Sequence, residues 1–489
     1  MKIKHKTWGN GGIIIMDLNA VKKPEQDLSV RQFGVRDKLG YLFGDFGNDF
    51  TFIFASSYLM LFYTKVWGVS ASMVGVLFLV SRCLDAFTDV TMGTIVDKAK
   101  STKDGKFRPW IKRIAGPVSI MSFLMYQSSL AGASMNVKIT VMFVTYILWG
   151  SIFYTAINIP YGSMASAITE VPEERASLST WRSMGATFAG LLISIITPQV
   201  IYYADANGNQ IIDPAKFTMI AGVFSICAII CYVLCFLLTT ERVKFEENNK
   251  PKEKVSIIKN LGMIVKNKAL LAMIASSIVL LLSSLMSQTI NQYLYADYFK
   301  NVNALSMSGM VTLPITLFVA AVIVKVSAKF GKKEICMVGL LVAGAIYLTA
   351  FFLRIKNPWV YLGVNALAMF AMSGNTLLSW ANITDVIDHN EITTGKRDDG
   401  TIYGIYSFSR KIGQALAGGL GGFALSFIGY NSMAATQTAE VANGIYTIAT
   451  LFPGVCYIIA GLIFMFAYPL SKKVVNENSA KLALMREGK

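Results

Sequence analysis

The sequence predicts an all-α polytopic membrane protein with twelve transmembrane helices in two six-helix bundles. Three observations carry this expectation. The 489 residues are 54% hydrophobic and only 15% charged, with a mean hydropathy of +0.50, whereas a soluble domain carries about 25% charged residues. Twelve apolar runs recur, each near the ~20 residues that a helix needs to cross a bilayer. A long basic stretch divides them six and six, as two similar bundles would.

Residues 1–37 read as a polar, basic arm on the cytoplasmic side. Its apolar run, Ile13-Ile14-Ile15, is too short for a secretory signal core. Asn10-Gly11-Gly12 can be encoded by a ribosome-binding sequence ahead of Met16, which makes Met16 an alternative start. Residues 38–240 hold the first bundle, with spans expected at 39–64, 71–97, 111–132, 138–162, 177–203 and 216–240. Residues 241–268 form a cytoplasmic middle loop that includes Asn248-Asn249-Lys250-Pro251-Lys252-Glu253-Lys254. Residues 269–470 hold the second bundle, with spans at 269–297, 304–326, 334–353, 358–385, 401–428 and 444–470. Residues 471–489 read as a cytoplasmic tail.

The net charge of +16 raises nucleic-acid binding, but the basic residues do not form one patch. They gather in alternate connections, as in Lys98–Arg113 and Arg242–Lys268, which is the positive-inside pattern. Both termini are therefore expected in the cytoplasm, and the protein in the cytoplasmic (inner or plasma) membrane. The six cysteines all fall in apolar segments without disulfide or metal spacing. No phosphate loop, HExxH or GxSxG stands in the chain, so an enzyme is not expected and no cofactor is implied.

Four basic residues are left that loops do not explain: Arg82, Arg182, Arg410 and Lys411. Matching acids stand in the first two spans. Asp45 and Asp49 are one helical turn apart, and so are Asp85 and Asp89; Arg82 shares the latter face. A charge in a span costs roughly 2.5–3.5 kcal/mol on insertion scales, so such clusters mark ion or substrate paths. Carboxylate pairs with a nearby hydroxyl such as Thr88 suit a hard cation such as Na⁺, or a proton. A structural ion pair of Arg82 with Asp85 is the plainer reading, yet four acids exceed what one arginine needs.

In the fourth span, Tyr154, Thr155 and Asn158 precede Pro160, which is expected to break the helix and free carbonyls. Asp97 opens the charged connection Asp97–Trp110, which reads as a latch between neighbouring helices or as plain anchoring. Trp380 offers an aromatic face of the kind that stacks on sugar rings, although a lone tryptophan in a span is more often a packing residue. Gly418-Gly419 and Gly421-Gly422 read as sites of close helix packing.

Tyr41–Asp49, Arg82–Asp97, Gly105–Trp110, Trp149–Ser163 and Thr384–Gln414, in that order, resemble the glycoside–pentoside–hexuronide:cation symporters. These are the melibiose-carrier-like branch of the major facilitator superfamily, and the resemblance covers about residues 36–470. It implies the major facilitator fold, a glycoside substrate and a coupling cation. By the same resemblance Asp85 and Asp89 hold the cation, with Thr155 near them. Asp49 holds sugar hydroxyls, and Arg182, Trp380 and Lys411 line the sugar site or cavity. Arg82 stands beside the cation pair, with Asp45, Asp97 and Arg410 as supporting charges. Asn48 stands where the melibiose carrier has a lysine, Asn158 where it has an aspartate, and Gly162 where it has a tryptophan.

The expected function is import of a glycoside (an oligosaccharide, pentoside or hexuronide) with Na⁺ or H⁺ by alternating access. The expected partners are the sugar, the cation and membrane lipid, with no nucleic acid and a monomeric chain. A same-fold carrier of a lysolipid or drug, or a non-transporting membrane sensor or scaffold, are the competing classes.

Overall fold

A computed structural model describes residues 31–206, 208–243, 267–395, 399–434 and 436–487. The arm up to residue 30, with Met16, and most of the middle loop lie outside the described residues. So does the side chain of Lys411.

Twelve long helices follow in order: α1 Val35–Lys65, α2 Ala71–Lys98, α3 Arg108–Leu124, α4 Met135–Ile168, α5 Pro172–Ile201 and α6 Pro214–Leu238, then α7 Lys268–Tyr298, α8 Val302–Phe330, α9 Lys332–Leu353, α10 Pro358–Thr394, α11 Asp399–Phe427 and α12 Ala439–Ala467. A thirteenth, α13 (Lys472–Glu487), follows. Among the described residues, eight are long and apolar enough to cross a membrane, and α1, α3, α10 and α11 are not among these. Helix α3 has only 17 residues. The apolar run of α1 is interrupted by Asp45 and Asp49, and that of α11 by Arg410 and Lys411. Spans diluted by charge are where a carrier places its polar path.

The tail is more ordered than the sequence reading expected. Asn478 meets Nδ1 of His389 at 3.2 Å, Leu482 is buried, and the Lys472 amide donates to Glu334. These contacts dock α13 against the ends of α9 and α10. The expected third span is also shorter, because α3 stops at Leu124 and a 3₁₀ turn occupies Ser128–Gly132. Between α5 and α6 a two-stranded hairpin pairs β1 (Tyr202–Ala204) with β2 (Gln210–Ile212), Tyr202 opposite Ile212.

The two halves of the chain meet at one end of the molecule. Lys65 Nζ on α1 lies 2.6 Å from Asp297 Oδ1 on α7, and Tyr430 donates to the same carboxylate. Thr64 and Tyr293 share a 2.8 Å hydrogen bond, and Gln199 donates to Asn303 and Ser306. The backbones of α2 and α11 touch there: a Cβ on Gly75 would lie 2.8 Å from the Gly419 carbonyl, and one on Gly422 would strike Ala71. One apolar core joins residues of both halves at this end, whereas a second is built from the later half alone. Helix α2 follows the same divide. It buries Ala71, Val74, Gly75, Leu77, Phe78 and Ser81, but past Ser81 only Met92 and Val96 are buried. The halves converge at the end carrying residues 66–70 and part toward the end carrying Asp97 and Thr394.

Candidate functional site: two carboxylate pairs and an aromatic platform

Residues 85 and 89 of α2 face residues 151 and 155 of α4, one helical turn apart on each. Ser151 Oγ donates to Asp85 Oδ1 at 2.6 Å, and Thr155 Oγ1 donates to Asp89 Oδ1 at 3.1 Å. Both rungs join residues 66 apart in the chain, so α2 and α4 run parallel here. Arg82 Nη1 lies 3.1 Å from Asp85 Oδ2 and its guanidinium sits over the Phe52 ring. The formal charges of Arg82, Asp85 and Asp89 sum to one negative charge, as do those of Asp45, Asp49 and Arg182.

Residues 148–154 of α4 are π-helical, the wider winding that often marks functional sites. This segment holds Ser151 and Tyr154 and ends at Thr155. The irregularity therefore lies before Pro160. The helix continues through Pro160 to Ile168 instead of breaking there. Thr88, expected beside the cation, donates to the carbonyls of Leu84 and Asp85 at 3.3 Å in its own helix. Ser151 was not singled out in the sequence. Its position four residues before Thr155 was the available signal.

The α1 pair is built otherwise. Arg182 Nε on α5 lies 2.9 Å from Asp45 Oδ1, and its guanidinium rests over Tyr161, which donates to the Tyr41 carbonyl at 2.6 Å. Gly162 lies beside this arginine, where a Cβ would make ordinary contact with Nη1 at 3.8 Å. Asp49, one turn further along α1, has no side-chain hydrogen bond or ion pair among the described residues. Asn158 on α4 likewise has none. Asn48 is committed elsewhere, because its Oδ1 accepts from Tyr232 at 2.9 Å. Tyr154 stacks on Phe52 at 5.4 Å and lies 5.6 Å from Trp149. Phe52 thus touches both Arg82 and Tyr154, linking the two carboxylate pairs.

From the later half comes an aromatic platform. Trp380 on α10 stacks on Tyr403 of α11 at 4.8 Å and meets Tyr406 edge-on at 5.3 Å. Arg410 stands over the indole at 5.9 Å. Trp380 remains 42% exposed. Tyr403 and Tyr406 escaped the sequence reading. Their spacing from Arg410 along α11, seven and four residues, was the signal.

Further charged contacts lie outside this cluster. Asp97 ends α2 beside the connection to α3, where Lys106 donates to its carbonyl at 3.0 Å. There Glu241 accepts from the amides of Lys106, Phe107 and Arg108 at 2.7, 2.9 and 2.7 Å, capping α3. Asp37 is wholly buried between Arg31 and Arg242, at 2.6 and 2.8 Å. Lys65 and Lys138, counted above as ordinary loop cations, are both committed: Lys138 donates to the Trp67 carbonyl at 2.9 Å.

Residues 40–472 match the family described as MFS/sugar transport protein. The chain is similar to the glucuronide carrier protein homolog of Escherichia coli (strain K12), 30% identical over 91% of this chain and 95% of that protein. It is similar to the putative sulfoquinovose importer of Salmonella typhimurium, 30% identical over 90% of this chain and 91% of that one. The putative glycoside/cation symporter YagG of E. coli is 29% identical over 92% and 95%. Among solved structures, the nucleoside transporter NupG (TM-score 0.60, 14% identity, 89% of this chain and 100% of that one) and the D-xylose-proton symporter (0.59, 14%, 90% and 98%) share the fold.

Proposed function

This chain belongs to the MFS/sugar transport protein family, and on that premise we propose that it imports a glycoside together with Na⁺ or H⁺ by alternating access. The observation that carries the proposal is the construction of α4. One face of it holds Ser151 and Thr155 against Asp85 and Asp89, and the adjoining Tyr154 stacks on Phe52 of α1, three residues from Asp49, with Asn158 one turn beyond Tyr154. A cation arriving at the α2 pair and a sugar arriving at Asp49 would act on the same helix. Each then favours the other's binding, and this coupling is reciprocal.

In this reading Asp85 and Asp89 hold the cation, with Ser151 and Thr155 supplying neutral oxygens. Asp49 and Asn158 accept and donate hydrogen bonds to sugar hydroxyls. Trp380 takes the apolar face of the ring, and Arg182, Arg410 and Lys411 supply positive charge. Within the glycoside class, a hexuronide is favoured by the cation of Arg410 beside the Trp380 platform. Two relatives are named for a glucuronide and for sulfoquinovose, both anionic sugars. The basic connections put the parted end at the cytoplasm, so the arrangement described is the inward-facing one. The Lys65–Asp297 contact then closes the outer side.

The test is uptake by cells or vesicles bearing the full chain. Glucosides, galactosides, xylosides and glucuronides are each supplied with a Na⁺ gradient or a proton gradient. The expected result is gradient-driven uptake of one glycoside class that Asp89→Cys abolishes while the protein still inserts. Undiminished gradient-driven uptake in that variant would falsify the cation role.

A further inference from the structure

A cavity of about 440 Å³ lies between the halves on the converged side. It falls within the ~300–1,000 Å³ range of small-molecule sites. Its lining comes from α1, α5, α7, α8 and α10, and contains no acidic or basic side chain. What it does contain is a set of carboxamides on one face of α7: Gln288, Asn291 and Gln292, at spacings of three and four.

These amides are not used by the fold in the ordinary way. Gln288 and Asn291 have no side-chain hydrogen bond among the described residues. Gln292 is buried, is tied to Tyr58, and leaves its Oε1 without a partner. A buried unpaired carbonyl is destabilising until a donor reaches it. A carboxamide both donates and accepts, as adjacent hydroxyls of a sugar ring do. Ser57 and Ser308 add hydroxyls to the same wall.

Two helices that carry the proposed sugar site, α1 and α10, also line the cavity. Ile53 and Ser57 of its lining follow Asp49 along α1 by one and two turns, about 6 and 12 Å. On α10, Met369 precedes Trp380 by three turns, about 16 Å. A ligand seated between Asp49 and Trp380 would have this space next to it, toward the closed outer side.

We propose that the α7 carboxamide cavity is a second subsite, which binds the neutral second ring of a glycoside whose first ring sits at Asp49 and Trp380. This rests on the glycoside reading above and specifies its substrates. An uncharged polyhydroxylated ring is the chemistry that fits: the wall is neutral, hydrogen-bonding on the α7 side and small where α5 meets α1 (Gly190) and where α8 meets α5 (Gly309). A Cβ on Gly309 would collide with Ser194, so this wall is close-packed and the space is set by small residues.

The test compares methyl glycosides with disaccharides carrying the same non-reducing ring, for glucose, galactose, xylose and glucuronic acid, in transport by the full chain. The parent protein is expected to take the disaccharide of the accepted ring with a KM at least about fivefold lower than the methyl glycoside. Asn291→Leu is expected to erase that difference. A second readout is independent of transport rate: in Asn291→Cys, bound disaccharide should slow maleimide labelling at position 291, and the methyl glycoside should not. Equal KM values in the parent, or a preference that survives Asn291→Leu with unprotected labelling, would overturn the subsite. Failure of every glycoside to be transported by the parent would instead remove the glycoside reading, and the subsite with it.

Discussion

Asp45 and Asp49 on α1 and Asp85 and Asp89 on α2 share one spacing, one half of the molecule and one kind of apolar surrounding. Their partners differ. The α1 pair faces α5, where Arg182 takes Asp45 and leaves Asp49 open. The α2 pair faces α4, where each carboxylate receives a hydroxyl, while Arg82 comes from within α2 itself. A spacing of four puts two acids on one helix face, but the helix opposite decides what they do. In each pair one carboxylate already has a guanidinium, Arg182 at Asp45 and Arg82 at Asp85, so the α4 hydroxyls are what differs. A hydroxyl orients a carboxylate without neutralising it, and so leaves work for an arriving cation. From this contrast we propose the α2 pair as the cation site and Asp49 as the sugar's acceptor.

Substitutions can break or sharpen that contrast. The largest effect is expected at a third kind of carboxylate, Asp297, paired with Lys65 and nearly buried. Asp297→Asn leaves the ammonium unpaired, and breaking a buried pair costs about 3–5 kcal/mol. Thermal unfolding of the purified protein should show that loss, while the stimulation of uptake by cation persists. Loss of cation stimulation there would mean that any intramembrane acid matters, and the contrast would dissolve.

Asp49→Asn comes next. It removes a charged hydrogen bond to the sugar, worth about 1.5–3 kcal/mol. Sugar KM is expected to rise by the corresponding factor, with the cation's half-saturation unchanged at saturating sugar. Asp89→Asn should do the reverse, removing a coupling of about 1–3 kcal/mol. Gradient-driven uptake should fall about 5- to 150-fold, while sugar exchange without a gradient continues. The smallest effect belongs to Ser151→Ala. Loss of one hydroxyl bond of about 1 kcal/mol should shift the cation's half-saturation about fivefold and leave sugar affinity in place. An equal shift in both constants would argue that Ser151 holds the helices together and does not shape the cation site.

Much of this was legible in the sequence, for a physical reason. Membrane spans announce themselves by composition, and a charge inside one stands out against its apolar neighbours. Asp45, Asp49, Asp85, Asp89, Arg82 and Arg182 were all visible that way. Partners were harder. Asp45 meets Arg182 across 137 positions of chain and Ser151 meets Asp85 across 66, and no local pattern encodes either. Ser151, Tyr403 and Tyr406 are ordinary residues in apolar runs until a neighbouring helix supplies their context. Lys65 and Asp297 sit at span ends, where a charge looks like an anchor. The π-helical winding of 148–154 was also hidden. Pro160 was the one breaker in view, and the chain absorbs it without a break.

The most direct measurement of the central claim is sugar affinity in the purified full-length protein, titrated with and without the coupling cation. Three forms should be compared: parent, Asp49→Asn and Asp89→Asn. The account expects the cation to tighten sugar binding in the parent. In Asp49→Asn binding should be weaker but still tightened by cation, and in Asp89→Asn it should be indifferent to cation. Cation-dependent tightening in Asp89→Asn as large as in the parent would contradict it.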